Sequence, residues 1–387
     1  MADRVVRFGV IGGGLMGRYF AMACGQWPML RELDAAPELV AVCDLDPQVR
    51  AWYERNLPNL ALSTADYREL LTDDRVEAVY CAVPHHLHAQ IYPAVLNAGK
   101  HLLGEKPFGI DLEANRLIQA AMAAHPDLLV RVSSEFPFYP GAQRIVTAAA
   151  EGGFGRILDV RAGFHHSSDL DPDKPINWKR MASLNGEYGC LGDLGLHVVH
   201  VPFRLGWTPH NVRAILSDVV PERPNLKGVR VRCDTWDNAI LLTEVEAKDG
   251  SFPMLLEARR IAPGETNTWF LEVHGSRRSM SFSTKTPRTL WTLDFTPGSD
   301  QEWRRLDLGY RGAYASLADG IFEFGFGDAV LQMWAAFVDE LVNGHDMLQR
   351  FRCATPAEAA SSHLLFTAAL ESQRSRAVVE VPVASTP

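Results

Sequence analysis

The run "VIGGGLMG" spaces Gly12, Gly14 and Gly17 as G-x-G-x-x-G. Where such glycines follow a strand and open a helix, the first permits a tight turn and the second lets a pyrophosphate approach the backbone. The third lets helix pack on strand, and the helix N-terminus supplies a positive dipole. Taken alone, the spacing fits equally a glycine-rich turn that binds nothing. "LVAVCDLDP" ends a second apolar run in Asp44, where a carboxylate can hold both ribose hydroxyls of an adenosine and repel a 2′-phosphate. The distance from Gly12 is 44 − 12 = 32 residues, against the usual ~20, and "WPMLRELDAAP" reads as the insertion responsible. No arginine follows Asp44 at once, which favours NAD over NADP; the alternative for Asp44 is a solvated strand-end carboxylate. A third stretch, "HLLGEKPFG", runs a strand straight into Glu105, Lys106 and Pro107. In an open α/β sheet ligands bind at the carboxyl ends of the strands, so a lysine delivered there stands near a nicotinamide. The plainer reading is a surface lysine at a strand end.

These residues need a parallel sheet to hold them. From residue 4 to about 132, the apolar runs "VRFGVIG", "LVAVCD", "VEAVYCAV", "HLLG" and "LLVRVSS" alternate with helical patterns near 15–26, 47–56, 86–98 and 111–124. That alternation predicts a doubly wound parallel sheet. After one more helix near 140–151 the texture changes. "GRILDVRAGFHH", "VRAILSDVV", "NAILLTEVEA", "FPMLLEARRI", "TWFLEVHGS", "RSMSFST" and "TLWTLDF" read as long strands without helices between them, hence a largely antiparallel sheet. Two helical patterns, "AVLQMWAAFVDELVNG" and "PAEAASSHLLFTAALESQ", end the chain, the second with Thr355 as N-cap and Pro356 at the first helical position. The expected organisation is an α/β Rossmann domain over 1–132 and an α+β domain with a large, mostly antiparallel sheet over 133–387.

Bulk properties narrow the partners. A chain of 387 residues suggests two domains, and a formal net charge of −9 argues against nucleic acid or an anionic membrane surface. Cys24, Cys43, Cys81, Cys190, Cys233 and Cys353 are scattered singly, as reduced and mostly buried thiols would be. Asp3, Arg4 and Arg7 occupy the place where a signal peptide needs apolar residues, and no stretch is apolar for long enough to span a bilayer, so a cytoplasmic location is expected.

With the glycine turn, the segment "AVPHHLHAQIYPAVLNAGKHLLGEKPFG" and the later "GCLGDLGLHVVHVPFRLG", nearly the whole chain resembles the Gfo/Idh/MocA oxidoreductases. The resemblance implies that Lys106 matches the family's catalytic lysine, that Asp193 and His197 are its partners, and that the Lys106–Pro107 bond is cis. Asp193 and His197 stand i, i+4, on one face of a helix. Oxidation of a secondary alcohol needs a base for the hydroxyl proton, a positive group for the developing alkoxide, and a nicotinamide for the hydride. His197 suits the first role, Lys106 the second, and Asp193 an orienting acceptor. The implied cofactor contacts are Gly12, Gly14, Leu15, Met16, Gly17, Asp44, Pro84, His85, His88, Glu105 and Lys106. Two departures bear on the substrate: His200 stands where many members carry Asp, and Pro137 and Phe138 stand where many have an arginine before the proline.

The polar connection "AGFHHSSDLDPDKPINWKRM" has the character of a sugar-lining loop, with His165, His166, Asp169 and Trp178 as candidates; Trp178 anchoring the loop is the alternative. Tyr139 and Tyr310 are within reach as substrate or packing residues. The substrate set is thus Lys106, Tyr139, His165, Trp178, Asp193 and His197. Asp193, His197 and His200 also have metal-ligand spacing, but hydride transfer needs no metal and none is assigned. The leading expectation is an NAD-dependent dehydrogenase of a sugar, cyclitol or glycoside hydroxyl. A glycosidase working through transient oxidation and a non-catalytic nucleotide sensor are the alternatives. A homodimer or homotetramer is expected, because the terminal helices cover only part of the second sheet and Trp269 and Leu271 have little local cover.

Overall fold

The structure, a computed structural model, describes residues 4–348 and 351–383; Asp3 lies outside them. The chain forms two compact units. The first comprises the described residues up to Gly109 with Glu113–Phe138 and Arg311–Pro356; the second comprises Ile110–Leu112, Tyr139–Tyr310 and the described residues from Ala357.

In the first unit six strands form a parallel sheet: β1 (Arg4–Ile11), β2 (Ala35–Cys43), β3 (Leu62–Thr64), β4 (Ala78–Cys81), β5 (His101–Gly104) and β6 (Val130–Val132), in the order β3-β2-β1-β4-β5-β6. The strand order reverses between β1 and β4, the switch point at which such sheets bind ligands. Helices α1 (Leu15–Gln26), α2 (Pro47–Asn56), α3 (Tyr67–Leu71), α4 (His88–Asn97) and α5 (Leu112–Ala123) lie between the strands. Their starts are written in short polar residues: Asp46 accepts from Gln48 N at 2.8 Å with Pro47 at the first helical position, and Asp66 accepts from Arg68 N at 3.0 Å. The insertion before β2 docks on the returning chain, where Arg31 N donates to Ala315 O at 2.8 Å and Leu317 N to Met29 O at 2.8 Å.

Segment 311–356 clusters with this unit, whereas the sequence reading had placed it beyond a boundary at 132. Its helix α9 (Phe326–Asn343) stacks Trp334 on Phe20 at 3.7 Å between ring centroids, with Phe8 and Tyr80 at its edges. Val132 N donates to Ala354 O at 2.8 Å. The apolar face of α9 thus belongs to the parallel sheet, although the whole antiparallel sheet intervenes in sequence.

The second unit is built on nine strands in the order β16-β15-β14-β13-β7-β12-β11-β8-β17. In sequence they are β7 (Ile157–His165), β8 (Pro209–Ser217), β11 (Asn238–Val245), β12 (Phe252–Arg259), β13 (Thr268–Gly275), β14 (Arg278–Ser283), β15 (Thr289–Asp294), β16 (Arg304–Asp307) and β17 (Val379–Glu380); β9 (Glu222–Pro224) and β10 (Arg230–Arg232) form a separate hairpin. Every pairing in the large sheet is antiparallel except β7 with β12. Helices α6 (Pro140–Ala150), α7 (Ala182–Asn185), α8 (Cys190–Arg204) and α10 (Pro356–Ser375) complete the unit.

Helix α8 packs on β7 and β12 and is buried throughout Cys190–Phe203. It begins at Gly189, whose φ of 57° and approach to Trp236, 2.5 Å from where a Cβ would sit, admit only glycine. Trp269 and Leu271 are fully buried on the helix-covered side, and Trp269 Nε1 donates to His197 O at 2.8 Å. This corrects the expectation that they lack cover: the alternation of β13 puts Phe270, Glu272 and His274 on the other face instead.

Candidate functional site

The glycine turn in the first unit has the shape a dinucleotide requires. Gly12 has φ 91°, and a Cβ there would stand 2.5 Å from Ala82 O; a Cβ on Gly17 would stand 2.7 Å from Gly12 O. Gly14 differs, for no atom lies within 4 Å of where its Cβ would be. It is the N-cap of α1 and contributes no capping side chain, so the start of the helix adjoins open space available to an anion. Leu15 is exposed and Met16 half-buried beside it. Asp44 closes the turn. Its Oδ2 accepts from Gly13 N at 2.8 Å and its Oδ1 from Asp46 N at 2.9 Å, while Arg50 is engaged with the carbonyls of Asp44 and Leu45. The residues present therefore fit NAD on both counts, an uncapped helix start for the pyrophosphate and an oriented carboxylate for the ribose.

Across the switch point, Pro84 is half-buried, whereas His85 and His88 are buried. His88 stacks on Tyr92 at 4.6 Å and its Nε2 lies 3.1 Å from Val83 O, so it braces the turn from within. β5 ends in buried Glu105, whose carboxylate accepts from Tyr80 OH and whose carbonyl accepts from Tyr92 OH, both at 2.7 Å. Lys106 follows, half-buried, and its bond to Pro107 is cis as the resemblance implied.

The candidates Asp193 and His197 belong to the second unit. Asp193 lies in the first turn of α8 and His197 one turn later, both buried. Lys179 Nζ is 3.0 and 3.1 Å from the two oxygens of Asp193, and Arg260 Nη2 donates to its Oδ2 at 2.9 Å. Phe164 packs its ring 5.4 Å from that of His197. His200, further along α8, is turned to other partners: Arg204 Nη2 lies 3.2 Å and Glu358 3.8 Å from its Nε2. Burial is the largest influence on His200 and pushes it down to about 3, keeping it neutral. The grouping of Asp193, His197 and His200 as metal ligands is not assembled, and among the described residues no cluster has metal-binding character.

The remaining candidates separate. Trp178 is half-buried with Lys179 Nζ 5.7 Å from its ring centroid, beside Asp193. Asp169 is structural: burial acts to raise its carboxyl, but Arg260, Lys174 and Arg223 outweigh it and hold it below the usual carboxylate range. His165 sits on the far face of β7 from Phe164, its Nε2 3.4 Å from a Glu257 carboxylate oxygen, and is not brought to Asp193 and His197. His166 packs on Phe164, and Tyr139 is buried against Phe282. Tyr310 is buried. Sequence reasoning missed Arg260 and gave Lys179 no role. Arg260 directly follows β12 in "EARRI", and only the packing of that strand on α8 reveals its target.

A switch-point glycine turn with an oriented carboxylate, on a doubly wound sheet, defines a nicotinamide-dinucleotide-binding protein. Residues 6–132 match the model of the oxidoreductase family with an NAD-binding Rossmann fold, Gfo/Idh/MocA. Levoglucosan dehydrogenase of Pseudarthrobacter phenanthrenivorans is 27% identical over 97% of each chain. The structure of levoglucosan dehydrogenase in complex with NADH and levoglucosan superposes with a TM-score of 0.86 at 26% identity, covering 98% of this chain and 99% of that one. A Klebsiella pneumoniae NAD-binding oxidoreductase gives 0.84 at 25% identity over 98% and 100%. Residues 6–132 thus match the NAD-binding Rossmann domain of that oxidoreductase family, and the chain along nearly its whole length is similar to levoglucosan dehydrogenase. Among the described residues no helix is long and apolar enough to cross a membrane.

Proposed function

We propose that the protein is an NAD-dependent dehydrogenase that oxidises a secondary hydroxyl of a sugar, cyclitol or glycoside. The observation that carries the reading is on α8, where Asp193 is committed to two cations one turn before a buried histidine. Such a carboxylate is a fixed acceptor that orients a hydroxyl, and the hydroxyl proton then goes to His197. Lys106 provides the positive charge against which the alkoxide develops. Gly12, Gly14, Gly17 and the start of α1 hold the pyrophosphate, and Asp44 the ribose hydroxyls. When bound, NAD supplies the hydride acceptor at its nicotinamide. Trp178, half-buried beside Lys179, offers an aromatic surface to the apolar face of a sugar ring. The full-length likeness to levoglucosan dehydrogenase, one of whose structures holds NADH and L-sorbose, supports a carbohydrate substrate.

The test is NADH absorbance on incubating protein and NAD with levoglucosan, monosaccharides, inositols and plant glycosides. Stoichiometric NADH with at least one polyol supports the reading. No NADH from any member, with NAD binding demonstrated, overturns it, and glycoside cleavage without net NADH would replace it by a glycosidase that retains its cofactor.

A further inference from the structure

β5 and β6 leave the sheet side by side, Ser133 N donating to Gly104 O at 2.9 Å. Each exit then delivers a carboxyl group: Glu105 immediately after Gly104, and Glu135 after Ser133 and Ser134. Both are buried, at 9% and 5% exposure. Helix α9 covers the β6 exit with uncharged groups; Met333 Sδ lies 3.2 Å from Ser134 N, and Trp334 packs on Tyr80. The titratable or charged groups facing the two carboxyls include Lys106 from the β5 exit, Tyr80 and the Cys81 thiol from β4, and Tyr92 from α4. Tyr80 OH donates to the Glu105 side chain and Tyr92 OH to the Glu105 carbonyl.

The charge count is then informative. With both carboxyls ionised, two buried negative charges stand against the one half-buried ammonium of Lys106. With one proton retained the charges balance, and an uncompensated buried charge is the costlier state. We propose that Glu135 is a positioning residue for Lys106: it keeps its proton while Lys106 works, and its ionisation adds a negative charge that weakens the support Lys106 gives to the alkoxide. The inference rests on the reading that Lys106 stands at the reacting centre. Burial first, and then the charge of Glu105, push Glu135 up to about 7, with Lys106 opposing. The switch therefore falls in the neutral range.

Two measurements on the full chain with NAD test it. Infrared titration reads the protonated carboxyl directly: a carboxyl band lost between about pH 6 and about pH 8 in the wild type, absent from Glu135→Gln, and persisting to higher pH in Lys106→Met, is expected. Single-turnover hydride transfer then reads the consequence. The Glu135→Gln to wild-type rate ratio should grow on the order of ten-fold from about pH 6 to about pH 9, because the glutamine cannot ionise. The absence of any carboxyl titrating in that window, or parallel rate profiles, overturns the inference. Should Glu135→Gln fail to fold, the wild-type and Lys106→Met infrared titrations decide it. Normal turnover in Lys106→Met would instead overturn the catalytic reading of the lysine, which the infrared result does not depend on.

Discussion

Lys179 Nζ spans both carboxylate oxygens of Asp193, at 3.0 and 3.1 Å, while Arg260 holds one of the same oxygens at 2.9 Å. The carboxylate is fixed from two elements, a loop ending at Lys179 and the residue that follows β12. Because Lys179 is half-exposed and Arg260 buried, the lysine is the removable member of the pair. Lys179→Met should leave Asp193 on Arg260 alone, in a looser orientation, and lower kcat/KM on the order of ten-fold without changing NAD affinity. Lys179→Arg should recover most of the loss. Steady-state kinetics with an NAD titration check this; wild-type kinetics in Lys179→Met would remove the anchoring role.

On the proposed reading, in which the glycine turn and Asp44 hold the dinucleotide, Lys106→Ala should bind NAD nearly as well as the wild type. Turnover should drop about 10²–10⁴-fold. His197→Ala should do likewise, and if both groups serve one oxygen and its proton, as proposed, the double variant should lose far less than the product of the two effects. Multiplicative losses would mean that the two act in separate steps.

Asp44 is held by Gly13 N and Asp46 N, so its carboxylate is oriented before any ligand arrives. Asp44→Ala removes the acceptor and the repulsion together. NAD affinity should fall on the order of ten-fold while NADP affinity falls less or rises. Fluorescence titration of both cofactors measures the preference, and an unchanged ratio would contradict the role of Asp44.

Much of this was legible before folding, and the rest was hidden for identifiable reasons. Helix and strand periodicity located α1 over 15–26 and α2 over 47–56, because glycine, aspartate and proline punctuate their ends. Lys106 stood out by its strand-end position, a local property, whereas Asp193 and His197 came from the family resemblance, with which their i, i+4 spacing agrees. Long-range partners leave no local mark. Arg260 and Lys179 lie 67 and 14 residues from Asp193 with no period connecting them. The return of α9 to the first sheet is a topological fact that alternation cannot express. His165 looked like a site residue because sequence gives the period of a strand but not which face a helix will cover.

The open face of the nine-stranded sheet aligns Leu242, Leu255, Arg161, Glu272, Ser281 and Trp291 across neighbouring strands through the ladder register. Leu242 and Trp291 are exposed there, at 54% and 41%. An apolar and charge-paired sheet face of this extent suits a second copy of the chain. Light scattering at micromolar concentration should give a dimer or tetramer, and Leu242→Glu should shift it toward smaller species. A monomeric wild type would contradict the assignment.

Glu135 also makes a statement about stability. Its folded-state carboxyl is raised from 4.5 to about 7 by burial and by Glu105. Between those values the folded chain holds a proton that the unfolded chain has released, so this group's contribution to stability falls as pH rises through the window and is lowest above about 7. At 1.36 kcal/mol per pKa unit the swing is on the order of 3 kcal/mol. Glutamine has nothing to ionise. Glu135→Gln should therefore gain stability relative to the wild type at about pH 8 compared with about pH 5, seen by calorimetry as a Tm difference that grows by several degrees. A Tm difference independent of pH would mean that Glu135 titrates in the folded protein as it does in the unfolded chain.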